Sequence, residues 1–74
     1  MTQIKIDPEK LRQARHNAGY SLRELSKIVG IDHNEIWKYE NGRRNPYPRN
    51  IRRLAEALGV EVRDIREEEA QGKE

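Results

Sequence analysis

The chain contains no cysteine. That absence removes disulfide frameworks, thiolate zinc sites and cysteine nucleophiles together. A fold of 74 residues must then be stable on packing alone, although a chain this short buries only a modest fraction of its surface. No apolar run approaches the roughly 20 residues of a membrane span, and the N-terminus lacks the apolar stretch of a signal peptide. No segment alternates with the period of two expected of a strand, and residues 3–6 are too short to build on. The two histidines, His16 and His33, are distant from each other, without thiolate or HxxxH spacing, so no metal site is expected. Catalysis needs convergent groups in a pocket. With none in view, the expectation is no enzyme, no catalytic residue, no cofactor, no membrane and no small-molecule substrate.

What is present is charge. Hydrophobic residues make up 34% and charged residues 38%, so nearly every apolar position has to go inside, an economy that short helices meet best. One core and one domain are expected, over about residues 1–69, with residues 70–74 a frayed acidic tail. A multidomain enzyme is excluded. The net charge of +2 hides an asymmetry: residues 1–53 carry 12 Lys and Arg against 6 Asp and Glu, and residues 54–74 carry 3 against 7. The densest basic stretch holds Lys38, Arg43, Arg44, Arg49, Arg52 and Arg53, opposed only by Glu40. A polyanion is its natural partner, although arginines that merely solvate a helix and a loop would look the same by charge alone.

Capping chemistry divides the chain into helices. Asp7-Pro8 starts the first, an acceptor at the N-cap followed by a proline whose missing N–H costs nothing; Leu11, Ala14 and Ala18 repeat at helical spacing up to Gly19, giving about 8–18. Ser21 and Glu24 fit a capping box, and Leu25, Ile28 and Val29 form a stripe up to Gly30, giving 22–29. Asp32 caps a third helix, 33–40, with Glu35 at the capping-box position, Ile36 and Tyr39 pointing one way, and Asn41-Gly42 ending the run. Residues 43–47, with Asn45-Pro46, read as a loop. Pro48 opens a fourth helix, 48–58, striped by Ile51, Leu54, Ala55 and Leu58 before Gly59. Val60 and Ile65 bracket Glu61 as a hydrophobic staple does, which predicts a fifth helix over 62–67. The expected class is all-α, a compact bundle of five short helices.

The second helix, the Gly30 turn and the third helix have helix-turn-helix spacing. A tight turn between two short helices needs one left-handed residue, and the second helix must pack through Ile31, Ile36 and Tyr39 while its other face stays free. At about 100° per residue that other face holds His33, Asn34, Trp37 and Lys38. Asn bonds adenine through both amide groups, Lys donates to guanine acceptors, His does either according to tautomer, and an aromatic edge lies on thymine methyls or sugars. Trp37 half-buried against a neighbouring helix or partner protein is the alternative for that residue.

These residues resemble a helix-turn-helix domain of the lambda repressor/Cro type, the XRE family. The likeness runs from about Leu11 to Ile65 and is carried by Leu22-Arg23-Glu24-Leu25, Val29-Gly30-Ile31, Ile36, Tyr39-Glu40-Asn41-Gly42, Arg44-Asn45-Pro46 and Leu54-Ala55-Glu56-Ala57-Leu58-Gly59-Val60. The resemblance implies that His33, Asn34 and Lys38 read bases and that Trp37 lies along the groove wall with them. It also implies that Asn41, Arg43 and Arg44 contact phosphates, with Arg49 added to that set by its charge and place in the basic stretch, and that Arg15 forms a structural ion pair with Glu40. Two departures stand out. Leu22 replaces a glutamine that in many members braces a base-reading side chain, and Asp32 caps the third helix where the family usually offers a hydroxyl. Glu35 adds a second carboxylate near the phosphates, turned inward as a capping box or accepting from cytosine N4.

The function expected from the resemblance is sequence-specific binding of double-stranded DNA by a transcriptional regulator, a repressor acting as a homodimer on an inverted repeat, in the cytoplasm and on the nucleoid when DNA-bound. One module of 8.8 kDa contacts too few base pairs to be selective alone. The last helix and tail, roughly residues 59–69, are the dimer surface that the family implies. The competing expectation is a protein partner: a bridging module or an antitoxin on the same fold, favoured by Leu22, Asp32 and Glu35.

Overall fold

The computed structural model describes residues 4–67; the tail expected over 70–74 lies outside them. Four α-helices follow in order, α1 Pro8–Ala18, α2 Leu22–Val29, α3 His33–Glu40 and α4 Pro48–Leu58. Their starts are chemical. The Asp7 carboxylate accepts from the N–H groups of Glu9 and Lys10 at the head of α1, satisfying donors that the helix itself leaves free. At α2 the capping box is complete, with Glu24 N–H on the Ser21 hydroxyl at 3.0 Å and Ser21 N–H on the Glu24 carboxylate at 2.8 Å. The Ser21 backbone N–H, then its hydroxyl, hold the Glu24 carboxyl below its ordinary range. Gly19, Gly30 and Gly59 end α1, α2 and α4 in the left-handed conformation that only glycine adopts without strain.

The fifth helix is a correction. Residues 62–67 do not form an α-helix; a single 3-10 turn, Val62–Asp64, is followed by an isolated antiparallel bridge between Arg66 and Ile6. Glu61 caps that turn as the pattern of residues 60–65 suggests, but backbone pairing with the far end of the chain takes over after three residues. Asp7 N–H donates to the Ile65 carbonyl at 2.9 Å and Glu67 N–H to the Lys5 carbonyl at 2.7 Å. The segment before α1, too short to form a strand alone, thus gains a partner through tertiary contact. Asn45 secures it from the other side: its side-chain oxygen accepts from Ile6 N–H at 2.7 Å and its amide donates to the Ile4 carbonyl at 3.1 Å. The loop read over residues 43–47 is therefore also a clamp, with Pro46 fully buried beside it.

Every helix contributes to the core, and α4 gives the most, with Ile51, Leu54, Ala55 and Leu58 all buried. Leu11 of α1, Leu25 of α2, Ile36 of α3, Ile51 and Leu54 of α4 and Ile65 after the 3-10 turn are all at 0% exposure, each stabilising the fold by about 1.5–3 kcal/mol relative to an exposed position. Ile6 joins them. Two stripes depart from expectation. On α1 the inward positions are Leu11 and Arg15, with Ala14 only half-buried and Ala18 exposed, because an ion pair takes the place of an apolar contact. On α2 the buried residues are Leu25 and Val29, while Ile28 is 52% exposed, at the rim of a cleft that it lines with Arg53, Glu56 and Ala57 of α4.

Candidate nucleic-acid interface

Gly30, at φ 77°, reverses the chain between α2 and α3, and Ile31 at 8% exposure plugs the angle between them. With Ile36, Tyr39 and Glu40 buried, α3 is held from one side. The opposite side is open: Asn34 and Trp37 are exposed, Trp37 at 44%, and His33 and Lys38 are half-buried. A helix with side chains is about 10–12 Å across, which fits a major groove about 12 Å wide.

The Asp32 carboxylate caps α3 by accepting from Asn34 N–H at 3.0 Å. Glu35 does not complete a capping box there. Its carboxylate instead meets the Arg44 Nε at 3.1 Å, so the inward-turned capping role expected of it is replaced by an ion pair to the following loop. Trp37 is not packed under a neighbouring helix; the Arg43 guanidinium lies over its ring, 5.8 Å from the centroid, within the range of a cation–π contact. Asn41 ends α3 and spends one amide N–H on the Trp37 carbonyl at 2.8 Å, leaving the other free. Arg49 is exposed on the first turn of α4, whose N-terminus has no side-chain cap and no acidic residue. The structure thus places His33, Asn34, Trp37 and Lys38 along one helix and Asn41, Arg43 and Arg44 in the loop at its end, with Arg49 one helix further on.

Beneath this surface, α1 is bolted to the end of α3. Arg15 donates through Nε to one Glu40 oxygen at 2.6 Å and through a terminal nitrogen to the other at 2.9 Å, and its second terminal nitrogen reaches the Tyr20 carbonyl at 2.9 Å. Glu40 is 3% exposed. Arg12 adds a bond to the Glu40 carbonyl at 3.1 Å. The bond to Glu40 raises the Arg15 pKa above its ordinary value, against the opposing effect of burial. The pair fixes where α3 ends and so where the loop with Arg43 and Arg44 begins.

Two exposed groups escaped the sequence reading. Tyr47 is 76% exposed just ahead of α4, next to the buried Pro46; a loop has no periodicity from which its direction could be read. Ile28 was misdirected by its spacing, which is that of a core residue.

A free, polar α3 behind a glycine turn, flanked by arginines and backed by a locked core, defines a helix-turn-helix module. Residues 9–68 match the family model described as a helix-turn-helix domain. The chain belongs to that family, and is of the lambda repressor/Cro (XRE) type. A protein of Pyrococcus furiosus named as an HTH-type transcriptional regulatory protein is 38% identical over 39 residues, 53% of this chain and 12% of that one. The chain therefore spans about an eighth of the length of such a relative. Among solved structures it resembles the restriction-modification controller protein C.AhdI from Aeromonas hydrophila, with TM-score 0.74 and 35% identity over 77% of this chain and 86% of that one. It also resembles SinR, a master regulator for biofilm formation, in complex with DNA, with TM-score 0.74 and 25% identity over 78% of this chain and 97% of that one. SinR is matched again in its complex with the SinI protein, at TM-score 0.71 and 27% identity over 74% and 54%.

Proposed function

We propose that this protein is a sequence-specific DNA-binding transcriptional regulator, a repressor that occupies an inverted-repeat operator as a homodimer and has no catalytic activity. The observation that carries the reading is the open side of α3, where exposed Asn34 and Trp37 stand between half-buried His33 and Lys38, with Arg43 and Arg44 at its end. Amide and ammonium donors specify bases, and flanking guanidiniums set register on phosphate. SinR, crystallised on DNA, supports the same use of the fold.

The dimer follows from selectivity, since two half-sites multiply the discrimination of one. The face for it is a groove of about 900 Å³ between α1 and residues 58–67, lined by Ala14, Leu58, Val60 and Arg63 among others. No α3 residue lines it, so a second copy there leaves the reading face clear. A protein partner, of bridging or antitoxin type, is the second reading; it is favoured by the exposed Trp37 and by the complex that SinR forms with SinI.

Selection of sites from a random duplex library, followed by affinities across a salt series, tests the proposal. An enriched inverted repeat whose affinity falls steeply with salt, as release of condensed counterions requires, is the expected result. No enrichment, with shallow salt dependence, would overturn it in favour of the protein partner.

A further inference from the structure

Of the arginines beside α3, Arg43, Arg44 and Arg49, only Arg44 is held by a carboxylate among the described residues. Its Nε lies 3.1 Å from Glu35, whose side chain is 27% exposed against 57% for Arg44. Glu35 is not a freely rotating surface acid. It sits on the first turn of α3 and lines a cleft with Tyr39, Arg44 and Asn50, and the Tyr39 hydroxyl interacts with it from the buried side. The carboxylate therefore stands where an approaching phosphate would have to compete for the same guanidinium.

We propose that Glu35 is a specificity-determining residue at the edge of the reading face, an internal anion that keeps Arg44 occupied until the correct duplex displaces it; this rests on the DNA-binding reading above. On arbitrary DNA, Arg44 has two choices. It stays with Glu35 and contributes nothing to phosphate binding, or it leaves and strands a carboxylate against groove acceptors and backbone phosphates. On the operator the released carboxylate meets an amino donor, the cytosine N4 group, and the exchange is compensated. A partly exposed ion pair shifts an equilibrium by no more than about fivefold. That is enough to cancel one phosphate contact and small beside the 10³–10⁷ by which specific binding typically exceeds non-specific. Glu35 thus lowers the background and leaves the target almost untouched.

The test compares the wild type, Glu35→Gln, Arg44→Ala and the double variant on a non-specific duplex and on the duplex selected above, from 50 to 300 mM salt. Gln keeps the size and an acceptor for Tyr39 and loses only the charge. Glu35→Gln is expected to bind non-specific DNA about fivefold more tightly near 0.1 M salt, with a log–log salt slope steeper by about 0.9, the value of one further phosphate. On the operator it should show no gain, so the specificity ratio falls. Adding Arg44→Ala should cancel the non-specific gain. Arg44→Ala alone should change the non-specific slope by much less than 0.9, a measurement that holds even if the Gln variant fails to fold. An unchanged or weaker non-specific affinity for Glu35→Gln, a gain that survives Arg44→Ala, or a full 0.9 lost on Arg44→Ala alone would overturn the role of Glu35. If no variant binds any duplex at low salt, the DNA-binding reading falls with it; if all bind steeply with identical slopes, only the role of Glu35 falls.

Discussion

Replacing Arg15 with alanine should be among the most damaging single changes in the chain, and its size follows from what would be left behind. The guanidinium makes three bonds, two to the Glu40 carboxylate at 2.6 and 2.9 Å and one to the Tyr20 carbonyl at 2.9 Å. Without it, a Glu40 side chain only 2% exposed keeps Arg12 Nε at 3.9 Å as its nearest counter-charge. Stranding a buried charge in this way costs about 3–5 kcal/mol. A chain of this length has a total stability of about 4–11 kcal/mol at typical values per residue, so Arg15→Ala takes about a quarter of it or more. Each kcal/mol shifts Tm by about 4–8 °C in a domain this small, so the midpoint should drop by at least about 12 °C. Thermal and urea unfolding followed by helical circular dichroism measures both. The paired change Arg15→Met with Glu40→Leu should recover most of the loss, because the pair is worth little against an apolar replacement and the damage comes from removing half of it. A loss under 1 kcal/mol for Arg15→Ala, or a double variant no more stable than the single, would refute the claim that this bond holds α1 to the end of α3.

Three further outcomes are expected. Asn45→Ala removes both side-chain bonds to residues 4–6 and leaves the Ile6 N–H without its acceptor, a loss of about 1–3 kcal/mol that urea unfolding would register with no change in helix content of the folded state. Burial, reinforced by the Glu35 charge and opposed by Asn50 and Arg44, pushes the Tyr39 hydroxyl above its ordinary value of 10.0. The folded state therefore favours the neutral phenol, so this contribution to stability is complete below pH 10 and lost as pH rises through the folded pKa; Tyr39→Phe should flatten the alkaline limb of a stability–pH curve. Asn34→Ala should cost about 1–3 kcal/mol of discrimination at one base position with a nearly unchanged salt slope, read by competition among operator variants; equal weakening on every sequence would remove α3 as the reader.

The helices were legible because their ends are written in local chemistry. Asp7, Ser21 with Glu24, and Asp32 each satisfy free N–H groups within four residues, Pro48 opens α4 without a cap by lacking one such N–H, and Gly19, Gly30 and Gly59 solve the exit. Local signals failed where distant partners decide. The staple around Glu61 marks a genuine start, but the sequence near it holds no sign that Ile6 will claim Arg66 five residues later, nor that Asn45 will reach the same segment. On the reading face, residue types and spacing indicated which side of α3 is open. They did not indicate that Glu35 turns to Arg44 or that Arg43 covers Trp37, because both contacts depend on where the loop after α3 is pinned.

The bridge between Ile6 and Arg66 bears on the order of assembly. It joins residues near opposite ends of the described chain, whereas α2 and α3 meet across a single turn. Closing a long loop is costly in entropy and is rewarded only when the ends meet, so the neighbouring helices dock early and the seam between the ends closes last. Interactions absent from the transition state govern the unfolding rate and not the folding rate. The seam is in that sense the molecule's latch: weakening it at Asn45 would leave the speed of folding unchanged and shorten the lifetime of the folded state.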